Sequence, residues 1–249
     1  MKKIVAVLTL MTFCLPGFAA GTGYPLDHAP VDLSDEASLQ RGAKYFVNYC
    51  MGCHSLSYLR YSRLARDLDL TEDAVEENLI FTRNEQGEPT KIGSLITNSM
   101  GATYGENAFG VAPPDLTLVT RTRPHGADWL YTYLRTFYLD ESKPWGVNNA
   151  VFPNVAMPHV LWELKGWQRP VLEEVVDEAG QAHQVVVGVE RITDGRLTPE
   201  QFDRVALDLT NFLVYAAEPA KLVRYKVGAW VLFFLVILAV VSYFLKKEY

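Results

Sequence analysis

The sequence predicts a mainly α-helical exported domain carried on one C-terminal membrane helix, with a β-hairpin as the main departure from helix. Three observations point there. Apolar residues recur at helical spacing in three separate stretches, an uncharged apolar run of 19 residues lies near the C-terminus, and the first twenty residues have the pattern of an export signal. With 249 residues, 49% hydrophobic, 12% aromatic and 21% charged, the composition excludes a disordered chain, a collagen-like chain and a disulfide-stapled miniprotein. Three segments follow: residues 1–20, a body at 21–220 of about one domain's length, and an anchor at 221–249.

The first segment opens Met1-Lys2-Lys3, continues with an apolar run at 4–15 and ends Pro16-Gly17-Phe18-Ala19-Ala20. That run is well short of the ~20 residues a bilayer requires, so it reads as a secretory signal cleaved after Ala19 or Ala20. A lipoprotein attachment at Cys14 needs a small residue before it, and Phe13 is large.

Within the body, Leu39, Ala43, Phe46, Val47 and Cys50 line one face of a helix, with Ser34 as its expected N-cap. Leu130, Tyr133, Leu134 and Phe137 mark a second core-facing helix over residues 127–138. Residues 171–192 carry an apolar-acidic run, a turn at Glu178-Ala179-Gly180-Gln181 and the valine-rich 184–190, which reads as a β-hairpin. A third helix starts at Thr198-Pro199-Glu200-Gln201 and continues through Phe202, Val205, Leu209, Phe212 and Leu213 to Tyr215, before Glu218-Pro219 breaks it. The uncharged run at 227–245, flanked by Arg224, Lys226, Lys246 and Lys247, spans a hydrocarbon core at ~1.5 Å per residue. With an export signal in front, the body is expected outside the membrane and only residues 246–249 in the cytoplasm.

Of the 23 basic residues seven lie in the two ends, against one of the 29 acidic ones, so the body carries 28 acidic and 16 basic side chains, a net charge of −12. Such a field opposes nucleic-acid binding and steers a cationic partner.

Two cysteines remain once Cys14 is removed, and both lie in Cys50-Met51-Gly52-Cys53-His54. In an exported chain this CxxCH spacing lets two thiols add to the two vinyl groups of one haem, while the adjacent histidine becomes an axial iron ligand. A thioredoxin-like site would need a βαβ context, and a zinc site a further Cys/His pair. For the second axial position Met100, Met157, His125, His159 and His183 are the candidates, since Met51 is held inside the attachment loop. Met157 is favoured because the prolines at 153 and 158 impose an extended loop able to lay a side chain across a haem face. Pro113 and Pro114 of Ala112-Pro113-Pro114-Asp115-Leu116 could pack on the haem edge, with Arg121 or Arg123 answering its propionates.

The ordered set of CxxCH near residue 50, the Ala-Pro-Pro-Asp-Leu run followed by Arg121 and Arg123, the Met157 loop and the terminal anchor resembles the cytochrome c1 family in its proteobacterial form. The resemblance covers nearly the whole mature chain. It implies a class I cytochrome c-like haem domain with long loop insertions, in which the 198–215 helix crosses the helix leading into CxxCH. It further implies one covalent haem c on Cys50 and Cys53, axial ligands His54 and Met157, and Arg123, or Arg121, at a propionate. The implied role is electron transfer in a ubiquinol-cytochrome c reductase on the periplasmic face of a bacterial inner membrane. Its implied partners are cytochrome b, a Rieske iron-sulfur protein and a soluble cytochrome c, in a dimeric complex. No general acid, base or nucleophile is needed in this chain.

Two features depart from that pattern. The loop reads Val155-Ala156-Met157-Pro158-His159, which puts a second possible iron ligand, His159, two residues from the methionine, and no additional cysteine pair braces the region. The 171–192 segment has no role that the family pattern supplies. A stand-alone membrane-tethered cytochrome c, and a haem-based sensor with an open sixth site, are the alternative readings.

Overall fold

The computed structural model describes residues 23–84, 86–176 and 180–248, so the expected export signal, with Cys14, lies outside the described residues. Helix α1, Glu36–Tyr45, is capped by Asp35, whose side chain accepts from the Ser38 amide at 2.9 Å. The expected cap, Ser34, is instead held by Asp32, which accepts from both its amide and its hydroxyl. A carboxylate also suits the positive helix end better than a hydroxyl does. The helix does not stop at Tyr45. It widens into one π-helical turn, Phe46–Cys50, that carries the chain to the first cysteine of the motif.

Two long helices close the chain, and between them and α1 lies a series of short elements. Strand β1, Leu56–Arg60, pairs antiparallel with β2, Leu95–Ile96, around α2, Tyr61–Asp67, and α3, Glu72–Leu79. Then come α4, Ala102–Phe109, the single turn α5, Val119–Thr122, and α6, Gly126–Arg135. Helix α6 stops short of the expected Tyr138. The Thr136 hydroxyl donates back to the Thr132 carbonyl at 2.9 Å and Asn149 Nδ2 donates to the Tyr133 carbonyl at 2.8 Å, while Phe137–Leu139, strand β3, pairs with β4, Val147–Asn149. Phe137 is buried either way, so its hydrophobicity carried no information about helix or strand.

After the turn α7, Trp162–Lys165, the expected hairpin is present as β5, Gln168–Val176, and β6, Ala182–Arg191, with a bulge between Val171 and Leu172. Helix α8, Pro199–Ala217, has the full capping box, Thr198 accepting from the Gln201 amide while Gln201 accepts from the Thr198 amide. Helix α9, Lys221–Glu248, is 28 residues long, contains an 18-residue window of mean hydropathy 2.5 and buries none of it, so it is long and apolar enough to cross a membrane.

Helices α1 and α8 cross at Gly42. A Cβ there would come within 2.6 Å of Phe212 Cβ and would also run into the Asp208 carbonyl, so only glycine permits the approach. Beside it Phe46 and Phe212 pack with ring centroids 5.7 Å apart, each burial worth about 1.5–3 kcal/mol. Asp208, buried in the crossing, accepts from Ser38 Oγ at 2.7 Å and takes a two-pronged bond from Arg41 at 2.7 and 2.9 Å. Its charge is thereby paired and hydrogen-bonded, as a buried carboxylate requires.

A second buried charge is less well served. Lys165, 7% exposed, hydrogen-bonds the Arg135 carbonyl and sits 5.2 Å from the centre of the Phe202 ring. Burial, aided by Arg135 and Arg191 and opposed by Asp203, pushes its amine down to about 7. His159, which lies close enough to feel Lys165, is itself held neutral by burial. The unfolded chain therefore binds more protons than the folded one between pH 7 and the ordinary lysine value, and stability rises with pH across that window. Lys165→Met should flatten this rise in thermal melts and should raise the melting temperature most below pH 7.

Candidate haem-binding site

One cavity of about 480 Å³ lies beside the α1–α8 crossing, within the range of cofactor sites, about 300–1,000 Å³. Cys50, at the end of the π-helical segment, and Cys53 and His54, from the turn after it, enter its wall. That turn is tight: the Cys50 carbonyl accepts from the Cys53 amide at 3.0 Å and from the His54 amide at 2.9 Å. Two thiols and an imidazole are thus gathered within one turn. The thiols are not bonded to one another, and burial, with Cys53 beside it, pushes the Cys50 thiol up to about 12.

His54 is buried, and its Nδ1 lies 2.7 Å from the Pro114 carbonyl. A carbonyl can only accept, so Nδ1 carries the proton and Nε2 keeps the lone pair a metal needs. Burial holds the ring below the usual histidine range, the Pro114 and Asp115 contacts opposing it, so the imidazole is neutral. Pro114 is itself fixed from the chain just past His54. Asp115 accepts from the Ser57 amide at 2.7 Å and the Leu116 amide donates to the Ser55 carbonyl at 2.9 Å. On the other side Gly105 of α4 lies so close to Pro113 that a Cβ would stand 2.6 Å from its Cδ.

The remaining wall is apolar, from Leu130, Tyr133 and Leu134 of α6, Leu209 and Leu213 of α8, and the loop 155–158. That loop brings Met157 to the cavity, half-buried, with its sulfur 3.3 Å from the Tyr133 hydroxyl. Arg123 stands in the wall with its guanidinium 4.8 Å from the Trp129 ring and 5.0 Å from Phe152. Two thiols, a neutral imidazole, a thioether and one cation around an apolar slot fit an iron porphyrin with anionic propionates.

The other expected residues stay away from the cavity. Arg121 is not in its wall; it faces Glu218 at 3.9 Å, near the start of α9. Arg121, on α5, faces Glu218, whereas Arg123, the extended residue that ends α5, turns onto Trp129 and Phe152. Met100 packs near Gly105, His125 begins α6 with a φ of +60°, and His183 lies exposed on β6. His159 is stacked on Phe137 at 4.9 Å, its rings nearly parallel, and edge-on to Trp167. Although Pro158 and Val160 both line the cavity, His159 does not, and burial next to Lys165 pushes its ring down to about 3.

Residues 27–249 match the family described as Cytochrome C1. The chain belongs to the cytochrome c1 family. It is similar to cytochrome c1 of Allochromatium vinosum, 48% identical with 100% of this chain and 98% of that protein covered. It is also 42% identical to a Nitrosomonas europaea protein named ammonia monooxygenase gamma subunit, with 99% and 97% covered, and 30% identical to mitochondrial cytochrome c1 heme protein of Neurospora crassa, with 91% and 66% covered. Cytochrome c1 proteins are membrane-anchored, electron-transferring haem subunits of the bc1 complex, which also contains cytochrome b, and they carry covalent haem c.

Several wall residues of this cytochrome c1 family member gave no functional signal in the sequence. Tyr133 and Leu134 read only as core positions of α6, and Phe109, Trp129 and Phe152 were given no role. Their shared cavity depends on the return of the 152–158 loop over α6, which no local pattern announces. The Asp115 contacts make a specific claim about that cavity. Asp115→Ala, which leaves the Ser57 and Thr117 amides without their acceptor, should cost about 1–2 kcal/mol, read as a lower melting temperature of the haem-loaded protein.

Proposed function

We propose that Cys50 and Cys53 hold the haem through two thioether bonds, that His54 and Met157 are its axial ligands, and that Arg123, with Pro113 and Pro114 at the haem edge, meets its propionates. The observation that carries this reading is the gathering of all these side chains, and no other methionine or histidine among the described residues, in the wall of one apolar cavity. When bound, the haem supplies a one-electron ferric/ferrous couple. Cys50 and Cys53 would hold it through thioether bonds to its two vinyl groups, an addition of S–H across each double bond with no leaving group. His54 offers Nε2 to iron because Pro114 holds the Nδ1 proton. Met157 offers a thioether, a ligand that favours ferrous iron and raises the potential. The apolar walls exclude water and reinforce that preference.

In this reading the chain takes an electron from a Rieske iron-sulfur protein and hands it to a soluble cytochrome c. The body is periplasmic, the last residues cytoplasmic and the complex dimeric. The domain limits are those of the sequence: 1–20 for the export signal, 21–220 for the body and 221–249 for the anchor. The acidic body steers a cationic acceptor, and the rate of that encounter falls as salt screens the field.

Mild detergent extraction through a tag on this chain should bring down haem b together with haem c. Haem c alone under several mild conditions would instead support a stand-alone tethered cytochrome. Met157→Leu should retain covalent haem, lower the midpoint potential and open the ferrous iron to carbon monoxide; an unchanged potential removes Met157 from the iron.

A further inference from the structure

Tyr133 is held on three sides. Its ring stacks on Trp129 with centroids 4.9 Å apart and planes 12° from parallel, and meets Phe137 edge-on at 5.1 Å. Its hydroxyl lies 3.3 Å from Met157 Sδ. The side chain is 8% exposed, and a buried hydroxyl needs a partner. The partner here is a thioether, a weak acceptor. A thioether has no proton to give, so the phenol is the donor and the sulfur the acceptor.

A thioether sulfur has two lone pairs. If one accepts a hydrogen bond from a rigidly held donor, the other is the one presented to a metal, and its electron density is reduced. From this geometry we infer that Tyr133 is a positioning residue of the redox centre: its hydroxyl selects which lone pair Met157 offers to iron and weakens that donation, favouring the ferrous state. The inference rests on Met157 being the axial ligand. Trp129 and Phe137 act through Tyr133 by fixing its ring. A merely structural tyrosine would fill the same space and leave the iron indifferent to its hydroxyl.

The test uses the haem-loaded full chain in its membrane complex. Tyr133→Phe keeps the ring and removes only the donor. It should retain covalent haem, shift the midpoint potential downward and displace the charge-transfer band of the ferric iron–sulfur bond. In a Met157→Leu background the same substitution should shift the potential no further. An unaltered potential and band in Tyr133→Phe, where Met157→Leu alters both, overturns the inference alone. An equal shift in both backgrounds also overturns it, since the effect would not run through the sulfur. If Met157→Leu itself leaves potential and band unchanged, the axial assignment falls and takes the inference with it. Should Tyr133→Phe fail to mature, the unaltered protein answers the question. Transfer to D₂O should displace its iron–sulfur stretching vibration, and an unmoved vibration overturns the inference.

Discussion

The crossing of α1 and α8 at Gly42 is the contact on which the site depends. Helix α1 delivers the cysteines and His54, and α8 supplies Leu209 and Leu213 to the same cavity, so the separation of the two helices sets the width of that part of the slot. Glycine lets the backbones meet, the Phe46–Phe212 pair fills the space beside them, and Asp208 ties Ser38 and Arg41 of α1 to α8. The apolar contact supplies the stabilisation. The Asp208 bonds supply register, because a sliding helix would leave a buried carboxylate unpaired.

A redox protein of this kind performs no bond-making chemistry during turnover, so its design problem is to hold ligands still and tune them. Both side chains proposed as axial ligands are held by a neighbour in the cavity wall. The Pro114 carbonyl fixes the His54 tautomer from a loop stapled to the strand that follows the motif, and Tyr133 reaches Met157 from a helix whose aromatic neighbours clamp its ring. The π-helical turn at Phe46–Cys50 belongs to the same logic. It adds a residue to the helix where Cys50 has to face the cavity, in keeping with the concentration of such turns at functional sites.

Buried charge divides this fold into a well-compensated half and a costly one. Asp208 is fully paired, whereas Lys165 has a carbonyl and an aromatic face but no carboxylate within ion-pair distance among the described residues. Within the 157–165 segment neither His159 nor Lys165 lines the cavity, although Met157, Pro158 and Val160 do. The two together keep that segment packed by ring stacking and hydrogen bonding rather than by charge pairing. His159 is thereby committed to Phe137 and Trp167, although its position in the chain would have made it a rival for iron.

By itself the sequence determined what depends on short-range chemistry. The CxxCH spacing specifies covalent haem attachment because two thiols and a histidine within five residues need only a turn to converge, and helical periodicity, the Thr198 capping box and the length of the apolar run at 227–245 are equally local. The paired strands of the hairpin were legible too, from their β-branched residues, while Glu178 and Ala179 of the expected turn lie outside the described residues. Other features turned on which side of a segment faces the core. Tertiary packing alone separated Arg123 from Arg121, sent His159 into an aromatic stack while Met157 reached the cavity, ended α6 at Arg135 through bonds from Asn149, and set the Tyr133 hydroxyl on a sulfur 24 residues away. Each of those outcomes is decided by contacts between segments distant in the chain, whose energies no local pattern of residues contains.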